Sequence, residues 1–96
     1  MRAYVISDID VTDAEAFEQY KLLSAPSVER HGGRFLVRGG SFEVIEGDWS
    51  PKRLSILEFP DVAAAEKWIG SDEYRPARAI RHRSANTNIV LVQGGP

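Results

Sequence analysis

Four short segments rich in β-forming residues carry apolar side chains at odd and even positions alike, and this feature constrains the fold most strongly. Successive side chains of a strand point to opposite faces of its sheet, so a strand with one face in water alternates apolar and polar residues. One predicted face carries Val5, Ile9, Phe35, Val37, Leu57, Phe59, Ile89 and Leu91, and the other carries Tyr4, Ile6, Leu36, Leu54, Ile56, Val90 and Val92. Both faces of the predicted sheet therefore need a cover.

The segment after the first strand has the start and stop signals of a helix. Thr12 and Glu15 have the spacing of a capping box, in which each side chain bonds a free backbone amide at the start of the helix. Pro26 predicts a kink or a restart just before it, because proline removes one helical hydrogen bond. Gly32 and Gly33 are expected to end the helix, since glycine accepts the left-handed conformation found there.

The remaining segments complete a β-α-β-β-α-β order. Asp61 is expected to cap a short helix that Gly70 ends, and Ser71 a further helical stretch to about Arg83. The predicted strands are residues 3–9, 34–38, 53–59 and 88–92, with a short ribbon strand at 41–46. The order predicts an α+β, ferredoxin-like domain over residues 1–96, with a four-stranded antiparallel sheet and the helices on one face.

The second sheet face has no spare segment to cover it, so a second copy of the chain is the economical cover. We therefore expect a homodimer that joins through its sheet faces in a barrel-like assembly. The net charge of −2 disfavours nucleic acid as a partner, and no apolar run approaches the roughly 20 residues of a membrane span. Residues 1–6 are too short an apolar run for a signal peptide, so we expect a cytoplasmic protein.

Several segments together resemble the bacterial family known as domain of unknown function 1330, within the dimeric α/β-barrel superfamily. They are Gly32-Gly33-Arg34, Arg38-Gly39-Gly40, the run from Glu46 to Arg53, Glu58-Phe59-Pro60-Asp61, Ala65-x-x-Trp68 and Ser71-x-Glu73-Tyr74. The resemblance implies a ferredoxin-like protomer and a dimer whose sheets face each other. It implies no reaction, although the superfamily includes cofactor-independent monooxygenases, isomerases and haem-degrading enzymes.

The loop of residues 46–53 holds the densest set of candidate ligand-binding side chains. Trp49 offers a flat apolar wall for a ring or acyl group, and Arg53 can hold a carboxylate with two hydrogen bonds. Glu46 is a candidate for proton transfer, provided that burial raises its pKa. The alternative is structural, with Trp49 at the edge of the core and Glu46 paired with Arg53.

Arg38 and Glu58 are candidates on the sheet. Arg38 lies two residues after Leu36 and is therefore predicted to share the dimer-facing side of the sheet with Glu58. There the pair would orient a small acid, act as a proton relay or form a structural ion pair. Tyr74 is a further candidate that either donates to a substrate oxygen or only packs. A local basic cluster either contacts an anion or forms a solvated helix face, and its members are Arg75, Arg78, Arg81, His82 and Arg83.

No motif identifies a cofactor or a metal. The chain has no cysteine, and His31 and His82 lack partners at metal-ligand spacing. The sequence leaves three hypotheses: an enzyme acting on a small polar or aromatic metabolite in a pocket near the sheet–sheet interface, a non-catalytic ligand-binding module, and a structural or stress-related dimer.

Overall fold

The computed structural model describes all 96 residues and contains four strands and three helices. The strands are β1 (Ala3–Val11), β2 (Arg34–Arg38), β3 (Leu54–Phe59) and β4 (Ala85–Gln93), and the helices are α1 (Ala14–Arg30), α2 (Val62–Ile69) and α3 (Arg75–Ser84). The strands form one antiparallel sheet in the order β2-β3-β1-β4. This confirms the predicted ferredoxin-like fold, with α2 and α3 together in the place of its second helix.

Helix α1 begins at a different cap from the predicted one and is not interrupted. Asp13, not Thr12, accepts the amide of Ala16 at 3.1 Å and caps the helix. The restart expected just before Pro26 is wrong, because one helix continues to Arg30. Leu22, whose carbonyl loses its partner at Pro26, is 70% exposed, so water can take the missing bond.

The ends of the helices otherwise follow local chemistry. Gly32 has a φ of 80° and turns the chain out of α1, as predicted. Asp61 accepts the amide of Ala64 at 2.7 Å and caps α2 as predicted. Ser71 caps the helical turn that leads into α3, because its hydroxyl accepts the amide of Tyr74, three residues on, at 3.1 Å, although α3 itself begins after Tyr74.

The predicted ribbon strand at residues 41–46 is wrong, and we call residues 40–52 the arm because they join β2 to β3 without a helix or a strand. Gly39, with a φ of 70°, turns the chain away from β2, so the arm gains no ladder of strand hydrogen bonds. Asp8 on β1 holds the returning end of the arm. Its carboxylate accepts the Trp49 indole N–H at 3.0 Å and the Lys52 amide at 2.9 Å.

A bulge in β2 changes which side chains face the helices. The register with β3 shifts between Phe35 and Val37, so that Val37 pairs with Ile56 and Arg38 with Ser55. An extra residue of this kind reverses the alternation beyond it. Val37 therefore lies on the open face and Arg38 on the helix-covered face, the reverse of the prediction for both.

The core lies between the sheet and the helices. On β1, Ala3, Val5, Ser7 and Ile9 are buried, and the residues between them are not, as expected for a sheet covered on one side. Trp68 of α2 packs between the rings of Phe59 and Tyr74, with centroids 5.4 and 4.3 Å away. The opposite face, which we call the open face, leaves apolar side chains exposed, including Leu36, Val90 and Val92. None of the helices has the length and apolar character needed to cross a membrane.

Candidate functional site

A small pocket lies on the helix-covered side of the sheet, between the strands and helices α1 and α3. Its enclosed volume is about 40 Å³. We call it the sheet–helix pocket, and its main side chains are Ser7 and Ser55 from the strands, Tyr20 from α1, Phe35 from β2, Trp68 from α2, and Tyr74 and Arg81 around α3. The bulge in β2 contributes to it, because the change of face brings Arg38 to its rim.

The charges around the sheet–helix pocket have a single sign. Lys21, Arg38, Arg53 and Arg81 line it, and no Asp or Glu does. Lys21 pairs with Glu18 at 3.0 Å, whereas the three arginines form no ion pair with any acid of the chain. This lining gives the pocket a positive electrostatic potential.

Arg81 is the buried member of this set, with 5% of its surface exposed. Its guanidinium donates to the Thr87 hydroxyl at 2.6 Å and to the Tyr74 hydroxyl at 3.3 Å, and lies 3.5 Å from His82 Nε2. No carboxylate forms an ion pair with it. A buried cation normally has an acidic partner or a ligand, because desolvation of the charge is unfavourable.

The spacing of residues on α3 explains why Arg81 points inward. Tyr74, Ala77, Arg81 and Ser84 are buried and recur every three or four residues, so they form one helix face. Of the two alternatives for the basic cluster, the solvated helix face is therefore wrong for Arg81. Among the other members, Arg75 pairs with Asp72, and the Arg78 guanidinium donates to the Ile69 carbonyl at 2.6 Å.

Tyr74 is 1% exposed, and its hydroxyl lies 2.9 Å from the Tyr20 hydroxyl. Burial, together with the neighbouring Tyr20, raises the pKa of Tyr74 well above its usual value. Its phenol therefore stays protonated at neutral pH and acts as a hydrogen-bond donor rather than as a base. The sequence pattern predicts only that Tyr20 lies on the buried face of α1, at helical spacing from Phe17 and Val28.

Arg53 reaches the pocket because a glycine leaves room for it. Its guanidinium lies over the Phe17 ring, 5.7 Å from the centroid. A Cβ at Gly39 would overlap that guanidinium, so any larger residue at this position forces Arg53 to move. Arg38 lies over the Phe35 ring at 4.3 Å. Both arginines are held by aromatic faces at the rim of the pocket.

Three other candidates from the sequence lie away from the sheet–helix pocket. Glu46 is exposed on the arm and makes no ion pair with Arg53. Trp49 lies on the open side of the sheet, where it borders a shallow hollow of about 180 Å³ with Ile6, Asp8, Asn88 and Val90. Glu58 also faces the open side, as predicted from the alternation of side chains along its strand.

The predicted pairing of Arg38 with Glu58 does not occur. Arg34 Nε donates to the Glu58 carboxylate at 2.7 Å, and Arg2 lies 3.5 Å from the same oxygen. The Arg34 guanidinium, assisted by Arg2, holds the pKa of Glu58 below its usual value. The bulge explains the change of partner, since it places Arg38 on the opposite side of the sheet from Glu58. No group of three His, Asp or Glu side chains is arranged to hold a metal ion.

Comparison with known proteins gives a family and a fold. The family model described as domain of unknown function (DUF1330) matches residues 2–95. The chain belongs to the DUF1330 family. No curated protein sequence matches it.

Solved structures agree with the fold of this DUF1330 protein. RPA0582, of unknown function, from Rhodopseudomonas palustris is 23% identical over 99% of this chain and 83% of its own, with a TM-score of 0.79. SnoaB, a cofactor-independent oxygenase from Streptomyces nogalater, is 14% identical over 99% and 94%, with a TM-score of 0.71. A dimeric ferredoxin-like protein of unknown function from Jannaschia sp. CCS1 is 12% identical over 98% and 100%, with a TM-score of 0.66. At these identities the similarity establishes the ferredoxin-like fold and no activity.

Proposed function

We propose that this DUF1330 protein binds a small organic anion in the sheet–helix pocket. The observation that carries the proposal is Arg81, a buried guanidinium without an acidic partner, in a pocket whose other charged side chains are also cations. A bound anion would supply the missing partner and recover the electrostatic energy that desolvation of Arg81 removes.

The size of the pocket indicates how such a ligand would sit. An enclosed volume of about 40 Å³ is small beside the cavity of roughly 150 Å³ that holds benzene in another protein. The enclosed part therefore suits a charged head group such as a carboxylate. A ring or acyl group attached to it would lie at the rim, against Phe35 and the guanidinium of Arg38.

We further propose that the protein acts as a homodimer through its open face. Its accessible surface of 6107 Å² exceeds the roughly 5,500 Å² expected for a compact monomer of this mass, and the open face carries exposed Val90 and Val92. Roughly 800 Å² per partner is usual in a specific interface, so the excess surface is of the right order. The dimeric ferredoxin-like protein from Jannaschia has the same fold.

The dimer is tested with two charge-introducing substitutions of the same type. In Ile6→Asp the new charge is on the open face, whereas in Leu22→Asp it is on the exposed side of α1. Light scattering at micromolar concentration should give a dimer mass for the wild type and for Leu22→Asp, and a monomer mass for Ile6→Asp. A monomeric wild type overturns the dimer, and an Ile6→Asp dimer overturns the proposed interface.

Binding without turnover is the function that the geometry supports best. Proton abstraction by a carboxylate has no support in this pocket, because no Asp or Glu lines it and Glu46 is exposed on the arm. SnoaB, which has the same fold, is a cofactor-independent oxygenase. Oxygen consumption in the presence of a bound ligand is therefore the measurement that separates an enzyme from a binding module.

Binding is tested with three ligands of similar shape and different charge: benzoate, benzamide and benzylammonium. At low ionic strength, an NMR titration should show saturable shifts at pocket residues with benzoate, and much weaker effects with the other two. Arg81→Met should lower the affinity for benzoate at least about tenfold. Arg83→Met is the matched control, because Arg83 is exposed on the same helix. Equal binding of the three ligands, or equal loss in both variants, overturns the proposal.

A further inference from the structure

A chain of hydrogen bonds runs from Arg81 into the sheet–helix pocket. Arg81 Nε lies 3.3 Å from the Tyr74 hydroxyl, and that hydroxyl lies 2.9 Å from the Tyr20 hydroxyl. Tyr74 is almost completely buried, whereas Tyr20 is only partly buried, and both line the pocket. The chain thus begins at a buried cation and ends at a hydroxyl that a ligand can reach.

The direction of this chain follows from the chemistry of its first member. A guanidinium only donates, so the Tyr74 oxygen must accept from Arg81. If Tyr20 also donated to Tyr74, the single hydrogen of Tyr74 would need another acceptor, and none contacts this buried hydroxyl. A buried donor that is left without an acceptor is strongly destabilising, which decides against that arrangement. Tyr74 therefore donates to Tyr20.

The hydroxyl hydrogen of Tyr20 is then left free to point into the pocket. Within the protein, the Tyr20 hydroxyl has one hydrogen-bond partner, the Tyr74 hydroxyl, and its oxygen is the acceptor of that bond. A hydroxyl that accepts one hydrogen bond becomes a better donor of the next, and the positive charge at the start of the chain strengthens this polarisation. The end of the chain is thus a fixed donor rather than a freely rotating hydroxyl.

We infer that Tyr20 is the residue that recognises the ligand, by donating a hydrogen bond to its negatively charged oxygen, with Tyr74 as the positioning residue behind it. This inference rests on the proposed binding of an anion and narrows its class. The ligand must present an oxygen acceptor, as in a carboxylate, an enolate or a phenolate, at the inner end of the pocket. A ligand whose inner group only donates leaves the Tyr20 hydroxyl unpaired and is rejected.

The test is a double-mutant cycle on Tyr20 and Tyr74, with benzoate as the ligand and NMR titration as the measurement. Tyr20→Phe should lower the affinity for benzoate roughly 10- to 100-fold, as expected for a hydrogen bond to a charged group. Tyr74→Phe should lower it roughly two- to fivefold, because it removes only the polarisation of Tyr20. In the Tyr20→Phe background, Tyr74→Phe should have no further effect on the affinity.

Tyr4→Phe is the matched control, since it removes the same hydroxyl from the open face of the sheet. It should leave the affinity for benzoate unchanged. A purely structural role of Tyr74 would instead lower the affinity by the same factor in both backgrounds, and that result overturns the chain. If the wild type binds benzoate and Tyr20→Phe binds it equally well, the inference about Tyr20 is overturned, whereas the proposed binding of an anion stands. A wild type that binds no benzoate overturns the proposed function as well.

Discussion

Replacement of Gly39 by alanine tests how the rim of the pocket is built. Gly39 has a φ of 70°, and a Cβ there would overlap the guanidinium of Arg53. Gly47 on the arm has a φ of 94°, but an added Cβ would have nothing within 4 Å. Alanine at either position is strained by its backbone, whereas only Gly39→Ala also displaces a pocket cation.

The expected loss of unfolding free energy in Gly39→Ala is the sum of two separate effects. The left-handed backbone destabilises an alanine by roughly 1–2 kcal/mol. The new Cβ also pushes the Arg53 guanidinium away from the Phe17 ring, whose centroid lies 5.7 Å from it. This removes roughly 0.5–1 kcal/mol of cation–π attraction. We expect Gly39→Ala to lower the free energy of unfolding by about 1.5–3 kcal/mol, and by about 1–2 kcal/mol when Arg53 is already alanine.

The assay is urea denaturation of both glycine variants, each in the wild-type and the Arg53→Ala background, at one protein concentration. The effect of Gly39→Ala should depend on the background, and that of Gly47→Ala should not. The affinity for benzoate should fall in Gly39→Ala and not in Gly47→Ala. If Gly39→Ala has the same effect with and without the Arg53 side chain, the reasoning about this contact is wrong.

Three further predictions concern the core, the arm and the buried cation. Arg81→Met should change the free energy of unfolding by less than about 2 kcal/mol, because the loss of the Arg81 hydrogen bonds is offset by removal of the desolvation cost of its buried charge. A loss above about 4 kcal/mol in a urea titration would contradict an unpaired cation. The Lys52 amide lowers the pKa of Asp8 in the folded protein, so Asp8→Asn should destabilise at pH 7. The difference in melting temperature from the wild type should begin to shrink below about pH 4, where an aspartate of the unfolded chain titrates, and should be lost as the pH falls through the lower pKa of the folded state; a constant difference would contradict this. Ser27→Ala removes the hydroxyl that accepts the buried Trp68 indole N–H at 3.0 Å, and calorimetry should show a loss of about 1–3 kcal/mol in unfolding free energy, whereas an unchanged stability would contradict it.

The fold was largely predictable because its signals are local. Strand β2 was predicted with the bounds that it has, and Asp61 and Gly32 act as the predicted cap and terminator. Capping, glycine conformation and apolar patterning depend on residues within a few positions of each other. The local signals failed where two neighbours competed, as when Asp13 rather than Thr12 capped α1.

The candidate site was predictable only in part. Arg38, Arg53 and Tyr74 were candidates from the sequence and do line the sheet–helix pocket, although their role in binding stays a proposal. Arg81 was grouped with a basic cluster that either contacts an anion or forms a solvated helix face, yet its spacing from Ala77 on the buried face of α3 was a usable signal. The pattern of arginines obscured it, because charged residues are rarely buried without a partner.

The sequence by itself determined the order of elements, the two apolar sheet faces and most helix ends, since each depends on short-range chemistry. Only the tertiary structure decided which face Arg38 occupies, because one bulge reverses every side chain beyond it. It also decided that Tyr20 meets Tyr74, 54 residues later in the chain, beside Arg81. Such pairings depend on how α1 and α3 pack on the sheet, and no local pattern specifies that packing.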